Sequence, residues 1–235
     1  TETVYGLGAN GFDENAVKKI YIAKGRNFNN PINLLVSDMN MIESVAKNIS
    51  PLEYKLMGAF FPGPFTIILN KKEIVPGIVT ANKPYVGVRM PSGIIAKKLV
   101  EYAGVPVAAP SANISGKISG TSFQDIFEDF KDKVDCSIDG GNSEIGIEST
   151  IVKVIDEIPH ILRPGSITEE QIKQFSTVVI NDYEDENSVN VNHTNHYTPN
   201  SNCVLVYSDD NEKMVEKIKE IAKDYSKPCI LASHE

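Results

Sequence analysis

The sequence lacks tryptophan and has only three cysteines, Cys136, Cys203 and Cys229, among its 235 residues. Three is an odd number and no pair has C-x-x-C spacing, so neither a disulfide framework nor a cysteine metal site is predicted. We expect free, buried thiols in a reducing compartment. A chain of this length buries roughly 70% of the surface that its unfolded form exposes, so it needs no cross-links to be stable.

Long apolar runs are also absent. None approaches the ~20 residues that cross a bilayer, and no basic segment followed by an apolar one stands at the start. These two absences predict a soluble, cytoplasmic protein without a membrane partner.

Basic residues are in the minority, because 23 Lys and Arg stand against 31 Asp and Glu, which gives a net charge of −8. A broad nucleic-acid surface usually carries the opposite sign. The composition therefore argues against wholesale RNA binding and favours a small partner held in a local basic pocket; it does not decide whether RNA binds directly.

Two common site motifs are missing as well. The sequence contains no G-x-x-x-x-G-K-[ST] phosphate loop, so any ATP must bind in a different cradle. The four histidines are scattered and offer no ligand cluster, so no protein metal site is predicted.

Local patterns predict alternating helices and strands. Candidate N-caps precede several apolar helical patterns, and β-branched runs mark the strands. Helices are predicted over about 13–23, 39–48, 51–61, 93–102, 122–131 and 168–175, and strands over about 1–5, 34–36, 66–69, 86–90, 106–109, 134–138, 150–155 and 160–163. Several strands follow one another without a helix, which indicates an α/β fold with a mixed sheet rather than a doubly wound one.

Composition divides the chain into three parts. Residues 1–180 form a first domain whose opening strand looks truncated. Residues 181–202 are rich in Asn, Asp, Glu and Thr, which is typical of a linker or an ordered lid. Residues 203–235 predict one β-α-β unit, with strands at 204–207 and 228–232 and a helix over 209–225. This unit is too short to close a core alone, so we expect the beginning of a second domain that is cut at its end.

Lys24 and Arg26 flank Gly25 after the first predicted helix, and Asn30 follows. Two cations beside a glycine can clamp a polyphosphate, with arginine supplying a planar fork. The alternative is that the cations only favour the C-terminus of a helix.

Two arginines end apolar strands directly before proline-containing turns. Arg89 ends the strand over 86–90, and Arg163 ends the strand over 160–163. A buried arginine needs an anionic partner, because desolvating it unpaired is costly. For Arg89, a structural ion pair and a substrate carboxylate are equally compatible with the sequence.

Small hydroxyl residues follow two further strands. Ser111, Asn113 and Ser119 lie in a loop rich in serine and glycine, and Ser149 stands at the start of another strand. Such residues let backbone N–H groups approach phosphate or carbamate oxygens closely. An ordinary polar turn remains the alternative.

These segments, taken in order, resemble the threonylcarbamoyl-AMP synthase family, also called YrdC-like. The matching blocks are TETVYGLG at 1–8, KGR at 24–26, FPGPFT at 61–66, VRMP at 88–91, PSANISG at 110–116, STIV at 149–152 and LRPG at 162–165. The linker and the β-α-β unit resemble the longer, two-domain branch. The resemblance implies a twisted, open mixed sheet with a large, positively lined concave cavity, followed by the start of a small Rossmann-like domain.

The resemblance also implies an activity: L-threonine, bicarbonate and ATP give threonylcarbamoyl-AMP and pyrophosphate, for modification of a tRNA adenosine. Mg²⁺ would travel on the ATP phosphates, and downstream tRNA-modifying proteins would be partners. L-threonine would be held by Thr3, Arg89, Ala109 and Ser149. ATP and its phosphates would be held by Arg26, Asn30, Ser111, Asn113, Ser119, Arg163 and Tyr197, and the reaction would be promoted by Lys24, Arg26 and Ser111.

Three positions depart from the family pattern. Many members have histidine where Leu35 stands, and threonine where Tyr85 stands. The linker keeps only the HYxP end of its motif, at 196–199, which contains Tyr197.

Two other functions compete with the synthase. One is a carbamoyl-transfer enzyme that uses carbamoyl phosphate, although such proteins are usually longer and carry cysteine zinc modules. The other is a non-catalytic RNA-binding module, against which the negative charge argues.

Overall fold

A computed structural model describes residues 1–180 and 202–230. The strands are β1 (Ala9–Asn10), β2 (Leu34–Leu35), β3 (Phe65–Asn70), β4 (Tyr85–Arg89), β5 (Val107–Ala108), β6 (Thr150–Ile155), β7 (Ile158–Arg163) and β8 (Val179–Ile180). The helices are α1 (Glu14–Lys24), α2 (Met39–Val45), α3 (Pro51–Phe60), α4 (Gly77–Thr80), α5 (Ile94–Ala103), α6 (Phe123–Phe130), α7 (Glu169–Lys173) and α8 (Asn211–Ala222).

The strands form one mixed sheet in the order β1-β5-β2-β4-β3-β6-β7-β8. The pairs β2–β4, β3–β6 and β7–β8 are parallel, and the other four are antiparallel. The sheet is open, since β1 and β8 are its edges. The prediction of an open, mixed α/β sheet is confirmed.

The helices begin where the sequence supplies a cap. The Asp13 carboxylate accepts hydrogen bonds from two backbone N–H groups of α1. Ser50, Ser122 and Thr168 form capping boxes at α3, α6 and α7, which satisfy N–H groups that a helix end leaves unpaired. Gly25 ends α1 in the left-handed conformation, with φ 61°, which glycine adopts without a steric penalty.

The two faces of the sheet carry different side chains, because residues alternate along each strand. One face packs against helices and forms the main core, with Leu34, Ile67, Val88 and Val152 fully buried. The residues next to them in sequence turn to the opposite face, where the polar side chains of interest converge. This second face carries Leu35, Ile68, Tyr85, Arg89 and Ile151.

Three strand predictions are wrong. Residues 1–5 are irregular and join the 110–120 loop through a few bonds, such as Ala112 N to Tyr5 O at 2.7 Å. Residues 134–138 are irregular and largely exposed, and residues 204–207 have no regular secondary structure. A strand needs a neighbour for its backbone groups, and apolar composition alone does not supply one. The strand predicted over 228–232 is not formed at 228–230, and its last two residues lie outside the described part.

The burial predicted for the cysteines is wrong. All three thiols are exposed. Cys136 lies in the irregular segment that was predicted to be a strand, and the other two flank α8 outside any ladder. Because these segments do not form strands, the three thiols are not packed into the sheet.

The chain divides into two compact units, Thr1–Thr198 and Pro199–Glu235. The described part of the second unit contains α8 but not the two predicted strands. Within residues 1–180 and 202–230, no helix is both long and apolar enough to cross a membrane.

Candidate functional site

A cavity of about 100 Å³ opens on the second face of the sheet, where β2, β4 and β6 meet the 1–6 and 109–111 segments. A larger cavity of about 670 Å³ adjoins it and shares Tyr5, Leu35 and Ala109. The smaller cavity combines three arginines with hydroxyl and backbone groups, which is suited to anionic ligands. Its polar and charged lining comprises Thr1, Thr3, Tyr5, Arg26, Asn33, Arg89, Ser111, Glu148, Ser149 and Arg163.

Lys24 lies beneath the loop that borders this cavity. The side chain is almost fully buried, with 1% exposed, and its Nζ donates to Ser111 O and, at 2.6 Å, to Asn113 O. Burial, together with the Arg26 charge, lowers the pKa of Lys24 to about 7. An ammonium group among backbone carbonyls fixes the loop, but it does not line the cavity.

Asn113 organises the same loop from within. Its Oδ1 accepts a hydrogen bond from Ser111 Oγ at 2.6 Å, and its Nδ2 donates to Ile114 O at 2.9 Å and Lys117 O at 2.8 Å. Ser119 Oγ lies 3.4 Å from the same Oδ1. A buried amide with all these bonds is costly to replace, so Asn113 stabilises the loop that borders the cavity.

Arg26 projects into the cavity from just beyond the end of α1. Its Nε donates to Asn30 O at 3.2 Å, and its Nη2 donates to Pro31 O at 2.9 Å. Asn30 contributes its backbone here, and Tyr21 hydroxyl also donates to Asn30 O. Burial, and to a smaller extent the nearby Arg163 charge, lowers the pKa of Arg26, which leaves the pair of guanidinium groups favourable to an anion.

Arg89 is held at several points by the protein. Its Nη1 donates to Thr3 Oγ1 at 2.8 Å and its Nε donates to Gly63 O at 3.2 Å. Its Nη2 is enclosed by the protein and forms an ion pair with Glu2 Oε1 at 2.7 Å. The ion-pair alternative is therefore real, while Nη1 and Thr3 still border the cavity.

Glu2 was missed in the sequence, although it stands beside Thr3. It is 4% exposed, and its carboxylate also accepts from the Ser92 and Gly93 N–H groups at 3.2 and 3.3 Å. Burial alone would raise the pKa of Glu2, but the Arg89 charge and these hydrogen bonds bring it below the usual value. The signal that could have identified Glu2 is that a buried arginine requires an anionic partner.

Arg163 reaches the cavity through an irregularity in β7. Ile151 is opposite Arg163 and Val152 is opposite Ile161, so Leu162 is an extra residue on β7. Such a bulge re-aims the side chain that follows it. Without the extra residue, alternation would direct Arg163 toward the main core.

Ser149 connects Arg163 to the neighbouring strand. Its carbonyl accepts from Arg163 Nε and Nη2 at 3.1 and 2.9 Å. Its hydroxyl lies 2.7 Å from Thr66 Oγ1. This arrangement fixes one edge of the arginine against backbone.

Glu148 is a second residue that the sequence did not single out. It is the one carboxylate among the described residues that line the smaller cavity, and it accepts a hydrogen bond from Ser119 Oγ. Within the described residues, no group of three or more His, Cys, Asp or Glu side chains could hold a metal ion.

The structure brings most of the predicted site residues together. Thr3, Arg26, Arg89, Ala109, Ser111, Ser149 and Arg163 line the smaller cavity. Four others support its walls from behind, namely Lys24, Asn30, Asn113 and Ser119. Tyr197 lies outside the described residues.

Leu35 and Tyr85, two positions that depart from the family pattern, lie in different parts of the structure. Leu35 lines the cavity and offers it an apolar side chain. Tyr85 lies in the Ile68 and Ile151 cluster, with Lys153 Nζ 3.7 Å from its ring centre. It does not belong to the cavity lining.

Sequence comparison identifies relatives of the chain. A family described as telomere recombination, which groups Sua5, YciO and YrdC, matches residues 1–165. A threonylcarbamoyl-AMP synthase of Pyrococcus abyssi is 43% identical over 94% of this chain and 66% of its own length. The Bacillus subtilis enzyme of that name is 44% identical over 74% and 50%, respectively. The chain thus spans 50% to 66% of these two relatives.

Solved structures agree in fold. P. abyssi Sua5 complexed with L-threonine has a TM-score of 0.86 and 40% identity, and the match covers 95% of this chain and 67% of that one. Escherichia coli YciO has a TM-score of 0.63 and 25% identity, with 71% and 81% covered. The family match covers more than half of the chain, and the solved Sua5 structure has a similar fold. This chain therefore belongs to the Sua5–YciO–YrdC family, which contains the threonylcarbamoyl-AMP synthases.

Proposed function

We propose that this protein is a threonylcarbamoyl-AMP synthase, a nucleotidyltransferase that joins L-threonine, bicarbonate and ATP into threonylcarbamoyl-AMP and pyrophosphate. One observation carries the proposal: three arginines, from the α1 terminus, β4 and β7, meet hydroxyl groups in one cavity. The similarity to P. abyssi Sua5 complexed with L-threonine supports the choice of amino acid.

L-threonine would bind beside Arg89. The Nη1 edge of the guanidinium and Thr3 Oγ1 would receive its carboxylate, while Ser149 and the backbone at Ala109 border the remainder. The apolar Leu35 lines the same cavity and would contact the methyl group of the substrate. A charged hydrogen bond to the carboxylate stabilises by about 1.5–3 kcal/mol.

ATP would bind with its phosphates between Arg26 and Arg163. Ser111 would approach them from the loop that Lys24 and Asn113 hold. Mg²⁺ would travel on the phosphates, since it keeps several waters and seldom needs a full protein cage. Glu148 is the carboxylate available in the lining to orient it or its waters.

The reaction itself needs positioning and charge neutralisation. Bicarbonate loses water to give carbon dioxide, which the threonine amine attacks; a carbamate forms and one proton passes to solvent. A carbamate oxygen then attacks the α-phosphorus of ATP, the bond to the bridging oxygen breaks, and pyrophosphate leaves. Fixed arginines aimed at the phosphates stabilise the charge that develops in this step.

We propose that residues 1–180 form the catalytic domain, that residues 181–202 link it to the domain beginning at 203, and that Tyr197 contacts ATP. The product would serve tRNA-modifying proteins in the cytoplasm.

Two matched substitutions test the division of the site. Arg89→Lys keeps a charge but loses the fork, so it is expected to weaken L-threonine binding about tenfold with little change for ATP. Arg26→Lys is expected to do the reverse. Calorimetric titration of both variants with each ligand measures the split; equal losses of both ligands in either variant would refute the assignment.

A further inference from the structure

The pairing of Glu2 with Arg89 has a consequence for selectivity. We propose that Glu2 is a positioning residue that aims Arg89 at an amino-acid carboxylate and, by offsetting its charge, keeps phosphate anions out of that subsite. This inference rests on the proposed function, because it assumes that Arg89 binds the L-threonine carboxylate.

The guanidinium group of Arg89 has one usable edge. Its Nη2 atom is enclosed and faces Glu2 Oε1 at 2.7 Å, and its Nε atom is bonded to Gly63 O. Its Nη1 atom, which has two N–H groups, donates to Thr3, and Thr3 and Arg89 both line the cavity. A ligand oxygen therefore meets one guanidinium nitrogen, and Glu2 decides which one.

Glu2 is itself firmly held. Both of its oxygens accept backbone N–H groups, from Ser92 at 3.2 Å and Gly93 at 3.3 Å. A Cβ atom on Gly93 would lie 3.1 Å from Glu2 N, so the glycine lets the two segments approach closely. Because these contacts favour the carboxylate anion, the Glu2–Arg89 pair has no net charge.

A neutral pair suits a zwitterion better than a polyanion. The ATP phosphates carry several negative charges and are attracted to Arg26 and Arg163, which line the same cavity. If Arg89 kept its full charge, phosphate would bind there too, since a charge in a dry site attracts an anion strongly. L-threonine has a single carboxylate, and its binding depends more on the orientation of the Arg89 guanidinium than on the net charge of the subsite.

Glu2→Gln separates these roles, because it keeps the shape and removes the charge. L-threonine binding is expected to weaken about tenfold, because a neutral amide holds the Arg89 guanidinium in place less firmly than the Glu2 carboxylate does. ATP binding is expected to change less than L-threonine binding, because Arg26 and Arg163, which would hold the ATP phosphates, are held in place by backbone carbonyl groups of other segments. Inorganic phosphate, which should not compete with L-threonine in the unmodified protein, is expected to compete with it in the variant.

Glu53→Gln is the matched control. Glu53 is also a buried carboxylate, 7% exposed, that accepts a backbone N–H, from Ser50 at 2.7 Å. It lies at the start of α3 and lines neither cavity. It should lower stability without changing L-threonine binding or phosphate competition.

Calorimetric titration of L-threonine with and without inorganic phosphate gives the answer. Unchanged threonine affinity and no phosphate competition in a folded Glu2→Gln variant would overturn the proposal. If that variant does not fold, Glu2→Asp takes its place: it should weaken L-threonine binding while phosphate still fails to compete, and unaltered binding would refute the positioning role. Failure of the unmodified protein to bind L-threonine would instead contradict the proposed function.

Discussion

At the scale of single residues, the site depends on buried charges that the protein itself satisfies. Lys24, Glu2 and Arg89 are each less than 10% exposed, and each is bonded within the chain. Removing one partner of a buried pair typically costs about 3–5 kcal/mol, because the other charge stays behind. Substitutions at these positions therefore need a stability measurement beside every activity measurement.

Lys24 gives a prediction about pH. Burial and the Arg26 charge lower its pKa to about 7 in the free protein, and bound phosphate would favour its charged form. ATP binding should therefore take up a proton above pH 7, and affinity should fall as the pH rises to about 9, by up to about tenfold per unit. Calorimetry in buffers of different ionisation enthalpy measures this uptake.

Lys24→Met is the variant that checks the assignment. It keeps the length of the side chain without the titrating group, so proton uptake should disappear. It should also cost about 1–3 kcal/mol of unfolding free energy, because Ser111 O and Asn113 O lose a buried donor. Persistence of the pH dependence in the variant would assign it to another group.

At the scale of elements, a bulge and a turn aim Arg163. The extra residue Leu162 re-aims the strand end, and the turn that follows lies against β6. A Cβ atom on Gly165 would lie 2.5 Å from Thr150 N and 2.7 Å from Glu148 O, so only glycine fits there.

Gly165→Ala is expected to displace this turn. The protein should lose about 1–3 kcal/mol of stability by overpacking, and ATP binding should weaken because Arg163 and Glu148 shift. Gly58→Ala is the control: Gly58 lies in α3 with nothing within 4 Å of a Cβ atom, so it should stabilise by about 0.5–1 kcal/mol. Thermal unfolding and ATP titration of both variants test this, and equal behaviour of the two would contradict it.

Local signals explain which elements the sequence could predict. Asp13, Ser50 and Ser122 mark their helices by caps that form as expected. The strand predicted over 134–138 does not form, because no neighbouring strand pairs with its backbone. Strands β1 and β8 were not predicted, because two residues are too few to show an alternating pattern. Their pairing depends on β5 and β7, which are distant in sequence.

In the site too, local sequence predicts some residues, and others depend on the fold. The arginines at strand ends were predictable, because a buried guanidinium requires an anion. The sequence did not identify Glu2 as the partner of Arg89. Thr3, its neighbour in the chain, is 86 positions before Arg89, and only the fold brings the two segments together. The bulge at Leu162 was equally invisible, because it depends on the register with β6.

At the scale of the whole molecule, all three arginines meet in one cavity on the face of the sheet opposite the main core. Arg26 follows α1, Arg89 ends β4 and Arg163 ends β7, so three separate elements must fold together before the cavity exists. All of its lining belongs to residues 1–163. The negative total charge and the arginine-lined cavity are compatible, since all three arginines of the chain line that cavity.

The most direct measurement of the central claim is pyrophosphate release from MgATP by this protein. The account predicts release that requires both L-threonine and bicarbonate, with threonylcarbamoyl-AMP as the second product. Release that is independent of L-threonine, or that proceeds only when carbamoyl phosphate replaces L-threonine and bicarbonate, would contradict it.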